Sequence, residues 1–252
     1  MVKLAIFIPS YNTASTITSV IGRIPSQISK RASEIFVLDN GSSDGTLKAA
    51  ESYKKAKRMK NLTLISNGAN IGYGGSQKKA YARCIRKKYD VVVMLHSDGQ
   101  YPPEMIPSLV KPIEDGRADV VFGSRISTAR RGRMPLWRYL GNRALTLMQN
   151  LIMGTNLTEF HSAFRAYRVS ALARVPYYNG SNTYHIDTDL LVLFRAYKLR
   201  IAEIPIPTHY GAESQSPSVA QTIHYSVNVL SSVINYRLHR LGIMRSRLFS
   251  RK

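Results

Sequence analysis

Leu4-Ala5-Ile6-Phe7-Ile8-Pro9 is an apolar run that breaks at once into Ser10-Tyr11-Asn12. The same device returns at Ile35-Phe36-Val37-Leu38 before Asp39-Asn40-Gly41, at Leu62–Ile65, at Val91–Leu95 before His96-Ser97-Asp98, and at Val120–Phe122. Continuous β-branched runs of this length read as strands buried on both faces. Between them lie helical patterns over Ser15–Ile28, Asp44–Lys57, Gly75–Lys87 and Pro103–Asp115. Strand–helix alternation predicts an α/β domain with a mainly parallel sheet flanked by helices. Right-handed crossovers then bring the carboxyl ends of the strands to one edge, where ligands collect.

The second half is less regular. Leu136–Met153 and Asp187–Tyr197 read as helices, Ala163–Tyr167 and Arg200–Pro205 as strands, and Gly211–Pro217 as a loop. Val219, Ile223, Val227, Leu230, Ile234, Leu238 and Leu241 recur every three or four residues, which predicts a C-terminal amphipathic helix. The division expected is one domain over 1–213, with halves 1–123 and 124–213. A loop, helix and basic tail follow over 214–252.

Composition narrows the partners. The 252 residues hold 36 Lys+Arg against 15 Asp+Glu, a formal charge of +21. An anionic partner is expected: nucleic acid, a phosphorylated small molecule or an acidic membrane face. The single cysteine excludes a disulfide framework and a cysteine-rich zinc site. The strand-like opening from Lys3 argues against a signal peptide, and no apolar stretch approaches the ~20 residues that cross a bilayer. Lysine runs at Lys54–Lys60 and Arg83–Lys88 read as solvated helix surface. Six arginines between Val120 and Thr158 (Arg125, Arg130, Arg131, Arg133, Arg138, Arg143), with no acid among them, suit phosphate contact. A basic, acid-free segment also follows Glu213.

The polar strand ends carry the chemistry. Tyr11 offers a flat face to a base, and Asp39 an acceptor for base or ribose. Gly72, Gly74 and Gly75 would let backbone amides approach a phosphate at a helix start. Asp98 and Gln100, two residues apart, would share one face of an extended segment as hard oxygen donors for Mg²⁺ or Mn²⁺. The glycine string is not a dinucleotide fingerprint, because Gln77 occupies its last position.

Taken in order, Pro9-x-Tyr11-Asn12, Asp39-x-Gly41-Ser42-x-Asp44-Gly45-Thr46, Asn70-x-Gly72 and Asp98-x-Gln100-x-Pro102-Pro103 resemble the family 2 glycosyltransferases. The resemblance is strongest to the dolichyl-phosphate mannosyltransferase group. Gly123-Ser124-Arg125, Ser162–Arg168 and Glu203-Ile204-Pro205 extend it over about residues 3–213. It implies a GT-A-type fold, a sugar nucleotide, a divalent metal and inversion at the anomeric carbon. It places Pro9, Tyr11, Asn12, Asp39, Asn70, Gly72, Ser97 and Asp98 around the nucleotide. Asp98, Gln100 and His96 would lie at the metal and diphosphate. Arg125, with one of Arg130, Arg131 or Arg133, would face an acceptor phosphate, and the loop from His209 to Ser216 would close over the donor.

Two positions depart from the family pattern. Thr13 stands where an acid is usual, and His96 where the first metal-region aspartate falls, which would favour Mn²⁺. The expected reaction moves a hexose, mannose from GDP-mannose, onto a polyprenyl or dolichyl phosphate. The site would be the cytoplasmic membrane face, with the chain peripheral on an anionic leaflet. A phosphate acceptor needs no base. A hydroxyl acceptor would need Asp189 or Asp187, Asp189 ahead of Asp187, unless these only cap the helix that follows. A basic nucleic-acid-binding protein is the remaining alternative. It leaves the ordered strand-end motifs unexplained and lacks an aromatic stacking platform.

Overall fold

The computed structural model describes residues 2–128, 134–207 and 219–250. The sequence elements Arg130, Arg131, Arg133, the loop from His209 to Ser216, Arg251 and Lys252 lie outside them. Seven strands form one sheet: β1 (Leu4–Ser10), β2 (Glu34–Asp39), β3 (Leu62–Ser66), β4 (Val91–Met94), β5 (Val120–Ser124), β6 (Arg165–Arg168) and β7 (Ile201–Pro205). Their order is β3-β2-β1-β4-β6-β5-β7. β1, β2 and β5 are almost wholly buried, which requires cover on both faces, as continuous apolar runs demand. The edge strands β3 and β7 are only partly buried.

The sheet is mixed. β6 is antiparallel to both β4 and β5, while β1, β2, β3 and β4 run parallel, as do β5 and β7. Two antiparallel steps restore the direction, so the carboxyl ends of β5 and β4 reach the same edge.

Nine helices lie among the described residues: α1 (Ile17–Gly22), α2 (Ser26–Arg31), α3 (Thr46–Lys57), α4 (Tyr73–Arg86), α5 (Ile106–Glu114), α6 (Leu136–Met153), α7 (Val169–Arg174), α8 (Ile186–Ala196) and α9 (Val219–Arg240). The helix expected over Ser15–Ile28 is two. α1 closes at Arg23, and Pro25, extended at ψ 134°, is the N-cap of α2.

α9 packs against α6 and α8. Its buried row is Val229, Ser232, Val233 and Tyr236. Val227, Ile234 and Leu241 of the anticipated apolar stripe are exposed instead, while Val229 and Tyr236 were not in it. No described helix is long and apolar enough to cross a membrane.

Candidate active site

The chain leaves β1 for β2 and β3 on one side, then returns to β4 on the other. That reversal opens a crevice at the carboxyl ends of β1 and β4, the usual ligand position in such a sheet. Asp39 ends β2 and is buried. Its Oδ2 accepts from the amides of Gly41 (3.2 Å) and Ser42 (3.1 Å). Its Oδ1 is buried with no protein partner. Ser10, which pairs in register with Asp39, also buries its Oγ without a partner. Register partners in a parallel pair share a face, so two unspent polar atoms sit side by side. Buried polar atoms are normally satisfied, and a ligand group is the simplest way to satisfy these. Ser10 escaped the sequence reading; its only signal is that it is the first polar residue of the strand. Tyr11 beside it is well exposed.

The loops around this crevice are tied together. Asn12, at φ 50°, donates its amide to Ser42 Oγ and accepts from the Ser43 amide. Asp44 accepts from the Ala14 amide and from Thr46. Burial would raise its carboxyl, but these hydrogen bonds hold it below the ordinary value. Thr13 is buried. Its amide donates to Thr46 Oγ1 and its hydroxyl to Ser97 Oγ (3.1 Å). Ser97 in turn donates to the Pro9 carbonyl (2.9 Å), and its own carbonyl accepts from Thr16. Ser97, expected at the nucleotide, instead clamps the ends of β1 and β4.

The glycine string also differs from expectation. A Cβ on Gly72 would lie 2.3 Å from the Asn182 carbonyl oxygen, and one on Gly74 2.2 Å from that of Ser181. The Gly72 amide donates to Asn70 Oδ1 and the Gly74 amide to the Asn182 carbonyl. Asn70 Oδ1 also accepts from the Asn40 side chain. Gly72, Gly74 and Asn70 therefore seat the 181–182 segment and lock the loop. The amides of Gly72 and Gly74 are thus spent within the protein rather than open to a phosphate.

At the end of β4 the chain turns rather than extends. Gly99 has φ 75°, and Asp98 Oδ1 accepts from the Gln100 amide at 3.0 Å. Asp98 and Gln100 are thus neighbours across a turn. His96 Nε2 lies 2.9 Å from the Tyr73 hydroxyl, which donates to Asp187 Oδ2 (3.2 Å). Burial pushes the Tyr73 phenol well above its ordinary value, so it keeps its single proton. That proton has Asp187 Oδ2 and His96 Nε2 as its near acceptors, and the His96 tautomer sets which of them receives it. Burial also lowers the His96 imidazole, so it is neutral at pH 7. No group of three or more His, Cys, Asp or Glu among the described residues is placed to hold a metal. Asp98 and Gln100 offer hard oxygen donors at this turn, the kind a divalent cation takes.

Asp187 and Asp189 point apart, because two residues turn a helix by about 200°. Asp187 faces the crevice side, bonded to Tyr73 and to Gln77 Nε2 (3.2 Å), with Arg165 Nε 3.9 Å away. Arg165 is wholly buried and donates to the carbonyls of Ser162, Phe160 and Asp187. Asp189 accepts from the Ser181 amide (2.8 Å) and Ser232 Oγ (2.7 Å). It lines a different, polar hollow of about 320 Å³ with His185, Asn228 and Asn235. The preference for Asp189 over Asp187 is thereby reversed. Neither residue caps the helix; His185 takes that position and both acids fall in the first turn, where the helix dipole favours them.

Arg125 follows β5. Its backbone amide and guanidinium both bind Glu159, which also accepts from Asn142 (2.9 Å). Burial would raise the Glu159 carboxyl, but the Arg125 charge and these hydrogen bonds hold it below its ordinary value. The acid-free window that marked Arg125 for a phosphate ends at Thr158, one residue short of its partner. Arg125 is a bracing residue here. Arg131 lies outside the described residues.

The family model of glycosyl transferase family 2 matches residues 5–175. A UDP-N-acetylglucosamine–dolichyl-phosphate N-acetylglucosaminyltransferase of Methanococcus voltae is 26% identical over 233 residues, covering 88% of this chain and 92% of the relative. An undecaprenyl-phosphate mannosyltransferase of Micrococcus luteus is 28% identical over 208 residues, covering 81% and 82%. Among solved structures, glucosyl-3-phosphoglycerate synthase of Mycobacterium tuberculosis, in complex with Mn²⁺, UDP and phosphoglyceric acid, superposes with a TM-score of 0.69. It is 20% identical, with 97% of this chain and 80% of that one covered, and so shows a shared GT-A fold. The chain is a sugar-nucleotide-dependent enzyme and belongs to glycosyl transferase family 2.

Proposed function

We propose that this enzyme transfers a hexosyl group from a sugar nucleotide to a polyprenyl phosphate at a membrane face, with inversion. The observation that carries the choice of acceptor is the state of the two acids. Asp187 and Asp189 each have both carboxylate oxygens engaged by protein donors. A hydroxyl acceptor needs a carboxylate turned toward it to take its proton, and here each is held by protein donors on both oxygens. A phosphate acceptor is already ionised near neutral pH and needs none. Both curated relatives described above act, by name, on a lipid phosphate.

In this reading Tyr11 stacks on the base, and Asp39 Oδ1 with Ser10 Oγ receives base or ribose hydroxyl groups. Asp98, with Gln100 and His96, holds a divalent cation, Mn²⁺ or Mg²⁺, which when bound would offset the charge of the departing diphosphate. Neutral His96 adds no competing positive charge to repel that cation. The Tyr73–Asp187–Arg165 network holds the His96 ring in place. The acceptor phosphate oxygen attacks the anomeric carbon as the bond to the diphosphate oxygen breaks, and the diphosphate leaves with the electron pair.

The test is transfer to polyprenyl phosphate, followed by mass spectrometry of the lipid, with GDP-mannose and UDP-N-acetylglucosamine in parallel. The sequence resemblance favours GDP-mannose, and the M. voltae relative supplies the competing donor. One donor should give a lipid-phosphate-hexose, and chelation should abolish it. Asp98→Ala should lower turnover by about 10²–10³-fold, as for loss of a main charge-stabilising group. Asp187→Asn and Asp189→Asn, made separately, should each stay within about tenfold of wild type, since no proton must be removed. Collapse of turnover in either variant with the fold intact, or transfer only to hydroxyl acceptors, would sink the phosphate-acceptor reading.

A further inference from the structure

α6 is built inside out. Leu136, Trp137, Leu140, Leu147, Met148 and Leu151 are between 45 and 76% exposed. On a helix of 3.6 residues per turn they fall within an arc of about 120°. The inward side is mostly polar: Thr146 and Gln149 are buried there with Met153, and Asn142 donates to buried Glu159. An ordinary surface helix shows the opposite arrangement. Leaving six large apolar side chains in water over about 27 Å of helix is unfavourable unless something covers them.

The charge around this face selects the cover. α6 carries Arg138 and Arg143 and no acid. Three more arginines, Arg130, Arg131 and Arg133, precede it in sequence, and α9, which packs against it, ends in Arg237, His239 and Arg240 with no acid of its own. A second copy meeting this one through the same face would bring the same arginines and no acid from α6. Lipid phosphates would bring the missing counter-charge. Trp137, with the Arg138 guanidinium 5.1 Å from its ring centre, is the residue pair suited to the boundary between headgroups and acyl chains.

We infer that the outward face of α6 docks on an anionic lipid bilayer, lying in the headgroup boundary without crossing it. This names the membrane-contacting surface within the function proposed above. α6 is joined to the crevice edge through Asn142, Glu159 and Arg125, which follows β5. Docking there holds the catalytic edge beside the leaflet from which a lipid-linked acceptor would come. The C-terminal helix, read from sequence as the anchor, takes second place: most of its middle is packed on α6 and α8.

Trp137 is the only tryptophan, so intrinsic fluorescence reports on this face alone. The full chain is titrated with vesicles of phosphatidylcholine, with and without phosphatidylglycerol. They hold no polyprenyl phosphate and no nucleotide, so the result is independent of the transfer assay. Anionic vesicles should shift Trp137 emission to the blue, brominated acyl chains should quench it, and added salt should weaken binding. Leu140→Glu/Leu147→Glu should lower partitioning by about tenfold or more, since it replaces apolar anchors with charges the leaflet repels. Lys48→Glu on α3, with the same change in charge, should not, and the melting temperature of each variant verifies the fold. Unchanged Trp137 emission overturns the inference, as does binding without quenching. So does a lipid-free dimer, seen by light scattering, that Leu140→Glu/Leu147→Glu dissociates.

Discussion

Asp39 was legible as a single letter at a strand end, but its unspent Oδ1 was not, because satisfaction is a property of neighbours. Arg125 shows the reverse. Its type and its acid-free window suggested a phosphate, yet Glu159 lies 34 residues on and takes the guanidinium. Thr13 is where the structure explains a departure from the family. Its hydroxyl meets Ser97 inside the clamp between β1 and β4, so an acid there would be buried facing another acceptor network. Thr13→Asp should therefore not restore a ligand contact. It should cost about 2 kcal/mol or more of stability, the penalty for a buried unpaired polar group, measurable by urea unfolding. Unchanged stability together with tighter nucleotide binding would show that Thr13 faces the ligand after all.

At the scale of elements, the strands of the first half were readable because buried parallel strands are continuous apolar runs. β6 was not fully readable. Arg165-Ala166-Tyr167-Arg168 is short and half polar, and nothing in four residues states that it runs antiparallel between β4 and β5. The direction of α6 was equally hidden, since its length and period were evident but not which side faces inward. The start of α4 makes a quantitative case. Gly72 combines φ 81° with a carbonyl oxygen 2.3 Å from where a Cβ would stand. Gly72→Ala must therefore displace the 181–182 segment as well as strain the backbone. A loss of about 2 kcal/mol or more is expected, a fall in Tm of roughly 4–8 °C for a chain of this size. Since Asp187 follows that segment and holds Tyr73, turnover should fall as well. An alanine variant with wild-type Tm would contradict the close approach.

For the whole molecule, acid sensitivity follows from buried imidazoles. Burial pushes His161, bonded to Tyr225 of α9 at 3.0 Å, down to about 4 from an ordinary 6.5. Between those values the unfolded chain binds a proton that the folded chain does not. Stability is thus fully present above about pH 6.5 and is lost as pH falls toward 4, by up to about 3 kcal/mol from this group. His96 is displaced in the same direction. Urea unfolding at pH 7.5, 6.0 and 5.0 should show the decline, and His161→Gln should flatten part of it. An unchanged slope in that variant would place the cause elsewhere. The mixed sheet has a further consequence, for the order in which the chain is made. β1 to β4 pair only among themselves until β6 arrives, so that half can assemble as it leaves the ribosome. β5 is different. Both of its partners, β6 and β7, are synthesised later, the nearer one beginning some forty residues on. At about 5–20 residues per second, a bare apolar strand stays without a neighbour for a few seconds in every round of synthesis. Chaperone protection of the nascent chain should peak in that interval and fall once Arg168 has emerged.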